Sequence, residues 1–577
     1  MVIPQARLTF YRWVKGVGRL LELPNHGPER LVRAVLFRWQ EKRFPWLAGQ
    51  APYGTKQLLS DESVENFAAW LASLPSFNDA AYWLASAYAI WVGDDQRTER
   101  SLYFTPPKLA DRVISNLVDR GASLTEHRWF DPACGGAAFL VPVAQHMANA
   151  MAKQGLSASE TLKAIESNLA GSDLDPTLIH LSEQFLLMAL GEVVQAARTR
   201  PTFSIARTDG LTAYAPTLGQ IDVIVCNPPY RKLSSNEAER YRAGFSSVMD
   251  GQPNIYALFM HRTTKLVEAG GLIGLLTPTS FLSGQNFKSL RTELLETTDV
   301  LQIDMMPSRK STFIQVLQET TITVLRRGKA GRVASTSVFV GAPDGAFSRA
   351  GSIRLPTCGR PWPIPKAAED TALLSYAASS TARLSDYGYT AKIGMLVAYR
   401  DQRRRHPIKP APSSKRTVLP LVWATDISPA GGFEHGREQR LARPDLFVEV
   451  GSLQAAGVIK KPAVLLQRVT SSEQPRRLVA TAAPDALVSE HGGYVCENHV
   501  VVLEKSGDAS CPPDLMARVL GSEAVDRVFR SISGTNNIAV YELNELPLPS
   551  LEALTKLVTS NDFDVAVHRA YERSALS

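Results

Sequence analysis

Four residues, Asn227-Pro228-Pro229-Tyr230, close the apolar, β-branched run Ile221-Asp222-Val223-Ile224-Val225-Cys226. Such a run is the pattern of a strand buried on both faces, and a polar-Pro-Pro-aromatic corner halts it. In open α/β sheets ligands bind beyond the carboxyl ends of the strands, so the corner lies where chemistry is done. The two prolines fix φ and remove two backbone donors, which leaves the carbonyls of Asn227 and Pro228 outside any continuing ladder. Asn227 adds a side-chain oxygen and Tyr230 a flat apolar face. Two converging acceptors beside an aromatic face suit an exocyclic amine on a planar ring. Accepting both amine hydrogens draws the nitrogen toward a tetrahedral, nucleophilic state with no covalent intermediate. Alone, the tetrapeptide also fits an ordinary strand-ending turn, so its neighbours decide.

Three of those neighbours are aspartates that end strands. Arg128-Trp129-Phe130 leads into the loop Asp131-Pro132-Ala133-Cys134-Gly135-Gly136-Ala137-Ala138-Phe139, followed by a helix carrying Leu140, Val143 and Met147. A strand, a small-residue loop and a helix N-terminus make a pocket where backbone approaches a ligand closely, and the leading acid favours a cationic group over phosphate. Leu169 to Asp173 is the second strand, and an acid closing it is placed to accept both hydroxyls of a ribose. Phe203 to Gly210 again ends in an acid, Asp209. Together Asp131, Asp173 and Asp209 describe a nucleoside carrying a positive charge.

The elements that must position these residues read as an α/β, Rossmann-like doubly wound sheet. Strands and helices alternate from Trp129 through Leu272–Pro278 to Thr320–Leu325, and a domain is predicted over residues 101–330. The polar stretch from Tyr230 to about Asn254 reads as a mobile active-site loop. Residues 1–100 read as a helical region with interleaved basic and aromatic positions, for which a solvated basic face competes with phosphate contact. Residues 345–550 read as a mixed, β-rich domain with arginine-rich loops, and 551–577 as a C-terminal helix or tail. The 577-residue chain carries 63 Lys and Arg against 56 Asp and Glu, a formal +7 that suits a polyanionic partner without requiring one. No apolar run reaches the ~20 residues that span a bilayer and the N-terminus lacks signal-peptide character, so a cytoplasmic protein with no membrane partner is expected. Five scattered cysteines, without Cys-x-x-Cys or Cys/His ligand spacing, predict free thiols and no metal site.

As a set, these residues resemble the N6-adenine DNA methyltransferases of the gamma-type group, in which the cofactor motifs precede the catalytic one and a target-recognition domain follows. The resemblance implies S-adenosylmethionine as methyl donor and double-stranded DNA as partner. It also implies a role as the modification enzyme of a restriction-modification system, with any cognate endonuclease acting separately. Tyr103-Phe104-Thr105-Pro106-Pro107 matches the first motif, where Thr105 would meet the methionine end of the cofactor. Asp131, Ala133, Cys134 and Gly135 match the cofactor loop, whose acid faces the methionine ammonium. Asp173 matches the ribose-binding acid and Asp209 the residue that bonds the cofactor's adenine amine. Asn227, Pro228, Pro229 and Tyr230 match the catalytic tetrapeptide, and Phe313 looks like the aromatic on the other face of a flipped base. The Asn form of the tetrapeptide goes with adenine, a Ser form with cytosine N4. Gly136 and Ala137 replace the family's Ser-Gly, which puts the close backbone approach at 137 in question. Ser533–Ile538 and Leu546-Pro547-Leu548-Pro549 are similar to the closing segment of recognition domains. Two competing readings are a methyltransferase for RNA or a protein glutamine amide, and a non-catalytic DNA-binding subunit with a relic core. A fused nuclease around Pro444-Asp445 and Glu449 is excluded because Gly451 stands where a lysine is needed.

Overall fold

The structure, a computed structural model, describes residues 7–20, 27–212, 220–306, 319–328, 335–342, 345–411, 416–429, 431–437, 445–471, 474–506, 511–533, 536–557 and 562–576. It divides into two compact units, residues 1–281 with 289–349, and residues 282–288 with 350–577.

The first unit is built on a sheet whose strands are β1 (Trp129–Asp131), β2 (Leu169–Asp173), β3 (Ser204–Arg207), β4 (Ile221–Cys226), β5 (Val267–Pro278), β6 (Thr298–Met306), β7 (Thr320–Arg327), β8 (Thr336–Gly341) and β9 (Phe347–Ile353), the last belonging to this unit only as far as Arg349. Their order is β3-β2-β1-β4-β5-β7-β6-β8-β9. Pairings from β3 through β5 are parallel, with Trp129 opposite Leu169 on one side and Val223 on the other. β7 is the exception, inserting antiparallel between β5 and β6. The central strands are buried on both faces because helices cover them, as the β4 residues Val223, Ile224, Val225 and Cys226 show, whereas the edge strand β3 is only half-buried. The order reverses beside β1, so the crevice beyond the carboxyl ends of β1 and β4 is the ligand position of this topology.

Two strands, β8 and β9, follow the point where alternation of strands and helices stops in the sequence. A second difference is larger. The polar stretch after Tyr230, expected as a mobile loop, holds a helix, Ser235–Phe245. Ser234 and Glu237 close a capping box at its start: Ser234 Oγ accepts from the Glu237 amide at 3.3 Å, and a Glu237 carboxylate oxygen accepts from the Ser234 amide at 3.0 Å. The Ser-x-x-Glu spacing was visible, but the helix buries only Tyr241 and Phe245, so apolar periodicity was too thin to reveal it.

The N-terminal helices pack an aromatic core in which the rings of Phe10 and Trp83 lie 4.3 Å apart and Trp13 meets Phe67 edge-on at 5.1 Å. Several of their basic residues serve the fold: Arg43 donates to the Leu74 carbonyl at 2.8 Å, Arg38 to that of Leu59 at 2.6 Å, and Lys42 pairs with Glu65. The helix Pro107–Asp119 contacts β5 and β7 and is tied to β6 by a buried polar cluster. Within it, Asp304 accepts from Arg112 Nε at 2.7 Å, Asn116 Nδ2 at 2.8 Å and Gln302 Nε2 at 2.7 Å.

The second unit is mixed. Tyr389–Ile393, Val500–Lys505, Ala463–Gln467 and Ala480–Ala482 form an antiparallel four-stranded sheet, and a five-stranded sheet centres on Thr417–Val422. The C-terminal helix Phe563–Leu576 is pinned by Tyr571, whose hydroxyl donates to the Pro547 carbonyl at 2.7 Å. Among the described residues no single helix is long and apolar enough to cross a membrane.

Candidate active site

A cavity of about 1060 Å³ opens at the carboxyl ends of the central strands of the first unit. Thr105, Asp131, Ala133, Cys134, Gly135, Asp173, Asp209, Asn227 and Pro229 all line it. Pro228 and Tyr230 do not line it, although they continue the same corner. Phe313 lies outside the described residues.

Asn227 is oriented by the segment that precedes the helix Pro107–Asp119. Its Nδ2 donates to Thr105 Oγ1 at 3.0 Å and to the Tyr103 carbonyl at 3.3 Å. A carbonyl is acceptor only, so this contact decides which end of the amide is nitrogen. Oδ1 accepts from the hydroxyl of Tyr230, which also approaches the Leu276 carbonyl of β5 at 2.8 Å. The Tyr230 ring meets Tyr256 edge-on at 6.3 Å.

Asp131 is 1% exposed, accepts from the Ala133 amide at 3.0 Å and has no cationic partner among the described residues. Burial pushes its carboxyl up to about 8, with the Asp173 charge adding and the Ala133 amide opposing. Asp173 accepts from the amides of Asp175 at 2.9 Å and Gly135 at 3.0 Å, and desolvation still raises it to about 6. Neither carboxylate has an ion-pair partner among the described residues, although Arg100, Arg207, Arg231, Lys232 and Arg240 line other parts of the cavity. Asp209 is better provided: it accepts from the Leu211 amide at 3.0 Å, the Tyr241 hydroxyl at 3.0 Å and Arg240 Nη2 at 3.3 Å. Cys134 and Cys226 are buried, and burial drives both thiols well above their ordinary value, which makes them packing residues and not nucleophiles.

The loop between β1 and the helix Leu140–Lys153 takes two left-handed residues, Gly135 at φ 53° and Ala137 at φ 57°. Ala137 therefore adopts the conformation for which glycine is favoured, with its methyl fully buried. The loop ending at Asp209 approaches the first one so closely that a Cβ at Gly210 would stand 2.0 Å from the Pro132 carbonyl oxygen.

Other residues reach the cavity that strand-end reasoning did not single out. Arg240 and Tyr241 come from the unexpected helix, and Leu174, 64% exposed, follows Asp173. Arg100 arrives from the N-terminal helices, 3.6 Å from Asp175, which also accepts from the Tyr88 hydroxyl at 2.8 Å. Of these, only the helix bearing Arg240 and Tyr241 has a sequence signal, the Ser234-x-x-Glu237 capping-box spacing, which the loop reading of this stretch does not use.

The chain is similar to several known proteins. Residues 167–313 match the family described as Eco57I restriction-modification methylase. The chain is 25% identical over 346 residues to the type II methyltransferase M.BsuBI of Bacillus subtilis, covering 58% of this chain and 66% of that protein. It is 24% identical over 358 residues to the type II methyltransferase M.PstI of Providencia stuartii, covering 59% of this chain and 67% of that protein. The matched part thus spans about two thirds of the length of these relatives. Among solved structures, the fold is shared with the type IIL restriction-modification enzyme MmeI in complex with DNA, at a TM-score of 0.55 and 12% identity, covering 95% of this chain and 86% of that one.

Proposed function

We propose that this chain, whose residues 167–313 match the Eco57I restriction-modification methylase family, methylates the N6 amine of an adenine flipped out of double-stranded DNA. The observation that carries the reading is that Asn227 shares one cavity with the buried carboxyl of Asp131 and the half-buried one of Asp173, neither of which has an ion-pair partner among the described residues. A cationic nucleoside would pair with the unpartnered acids, and S-adenosylmethionine supplies, when bound, a methyl group on a sulfonium centre. Asp131 would hold its ammonium, Asp173 its ribose hydroxyls and Asp209 its adenine amine. Thr105, Ala133, Cys134 and Gly135 would line its path, with Leu174 giving an apolar contact for the purine.

The chain's own residues then do the positioning. Asn227 Oδ1 and the Pro228 carbonyl accept the two hydrogens of the target amine, which withdraws its lone pair from the ring. The Thr105 and Tyr103 contacts hold the amide in one orientation, with Oδ1 on the side of the Tyr230 hydroxyl, and Pro229 keeps the corner rigid. Tyr230, and Phe313 by family resemblance, would sandwich the base. Held geometry supplies the acceleration, and the proton leaves to solvent after transfer. The type II methyltransferase relatives support a DNA-modification enzyme, and a separately acting endonuclease is what the family resemblance implies. The Asn form of the tetrapeptide favours adenine.

The test is tritiated methyl transfer to unmethylated duplex DNA, Asn227→Ala beside wild type, with the labelled base identified after digestion. Label on adenine N6 that vanishes in the variant is the expected result. Cofactor binding with no label on DNA would refute it and turn attention to RNA or a protein amide.

A further inference from the structure

The second unit contains a cavity of about 510 Å³ that none of the chemistry above uses. It lies beside the strand Tyr389–Ile393, between the turn Leu384–Tyr387 and the short helix Val540–Asn544. Three cationic side chains line it, Lys288, Arg360 and Arg383, against one carboxylate, Glu545.

Arg383 is the telling residue. It is 9% exposed, and its Nη1 donates to the carbonyls of Ser380 at 3.0 Å and Ala382 at 2.8 Å. Its Nε has no hydrogen-bond partner. Burying a guanidinium with an unanswered N–H is costly, and a second guanidinium nearby adds repulsion. Both effects lower the Arg383 pKa to about 10, burial first and Arg360 second. A fold retains such an arrangement where an anion completes it.

The walls are firmly held. Ala391 donates its amide to Asn544 Oδ1 at 3.0 Å, and Tyr387 donates its hydroxyl to the Pro549 carbonyl at 2.8 Å. The remaining side is a tight loop in which Cys358 takes φ 59°, a left-handed conformation that an L side chain adopts only where its surroundings enforce it. Cys358 lines the cavity and is exposed, whereas the other four cysteines are buried, so it reports on occupancy.

We infer that Lys288, Arg360 and Arg383 form a phosphate-binding site in the second unit, separate from the methyl-transfer cavity. Two sources carry that group, a DNA backbone phosphodiester and a free phosphate or pyrophosphate anion. The first source rests on the proposed DNA substrate; the second does not.

The test uses the full chain, wild type and the Lys288→Gln/Arg360→Gln double variant, which leaves the buried Arg383 in place. Cys358 alkylation is followed under native conditions with no addition, with inorganic phosphate or pyrophosphate, and with duplex DNA. DNA affinity is measured in parallel against salt. If the backbone fills the site, DNA slows alkylation of the wild type severalfold. In the double variant, affinity for all sequences then falls equally, and the log–log salt slope drops by about one per removed contact. If a free anion fills it, phosphate or pyrophosphate protects Cys358 in the wild type only, and the salt slope is unchanged. Protection by neither, with an unchanged slope, overturns the inference. Failure of the wild type to bind DNA would count against the proposed substrate while leaving the phosphate arm decisive. S-adenosylmethionine binding is expected to be the same in both proteins.

Discussion

If Asp131 holds the ammonium of S-adenosylmethionine as proposed, its unpaired carboxyl should make cofactor affinity a steep function of pH. A carboxyl with its pKa at about 8 is ionised in roughly one molecule in a hundred at pH 6. Pairing it with an ammonium requires that proton to leave, which costs about 1.4 kcal/mol per pH unit below the pKa, or ~2.7 kcal/mol at pH 6. S-adenosylmethionine affinity should therefore rise about tenfold per unit from pH 6 toward 8, with close to one proton released on binding. Above that the ligand's own α-amine, ordinarily near ~8, begins to lose its charge and bends the curve down. Asp131→Asn keeps the shape and cannot ionise. It should lose about ten- to a hundredfold in affinity at pH 8, the value of a charged hydrogen bond, and show no acid limb. Calorimetry from pH 6 to 9 in buffers of different ionisation enthalpy reads both quantities. Stability of the ligand-free protein should move the other way. A folded pKa raised from 3.8 to about 8 contributes stability below about pH 4 that is lost as the pH rises through 8. Ligand-free wild type should thus lose stability relative to Asp131→Asn across that window. Parallel pH curves for wild type and variant, in binding and in stability, would refute the argument.

Three other perturbations have expected outcomes. Asp304→Ala strips a buried anion from Arg112, Asn116 and Gln302 and should cost ~3–5 kcal/mol in urea unfolding; a loss below about 1 kcal/mol would mean the cluster is not structural. Ala137→Gly relieves a left-handed residue worth ~1–2 kcal/mol while removing a buried methyl worth ~0.8 kcal/mol, so its melting temperature should stay close to wild type. Ala137→Val, β-branched at positive φ in a filled site, should unfold at clearly lower temperature. Tyr230→Ala should lower kcat/KM for DNA about ten- to a hundredfold through lost stacking, whereas Tyr230→Phe, which keeps the ring, should stay within about tenfold of wild type; equal losses would deny the ring its role.

What could be read in advance was whatever is local in sequence. The run into Asn227 and the acids at the ends of β1, β2 and β3 each sit within a few residues of the strand that places them, so strand and candidate site are legible together. The pairing of Asn227 with Thr105 was not, because 122 residues separate them and no periodicity links a proline-stiffened segment to a strand end. The Leu276 carbonyl that receives the Tyr230 hydroxyl lies 46 residues on, for the same reason out of sight. Helix Ser235–Phe245 carried its capping box openly but little apolar face, and pattern reading weighted the face. Ala137 shows the opposite limit. A departure from the family motif suggested altered geometry, yet the backbone kept the left-handed conformation, since the packed loop outweighs a penalty of ~1–2 kcal/mol.

The Tyr230 hydroxyl bears on how the proposed site would accept its base. Burial keeps this hydroxyl protonated far above neutral pH, so it is a donor with one hydrogen facing two acceptors, Asn227 Oδ1 and the Leu276 carbonyl. One hydrogen cannot serve both fully. An amine hydrogen arriving at Oδ1 therefore displaces a contact that has an alternative 2.8 Å away, and the hydroxyl turns to Leu276. The exchange trades one neutral hydrogen bond for another, each worth ~1 kcal/mol net, and leaves no buried donor stranded. Base extrusion already costs a few kcal/mol of unstacking, and a site that demanded a second sacrifice would compound it. Holding Oδ1 with a tyrosine that can let go keeps the amide aimed while the site waits, and adds little to the cost of filling it.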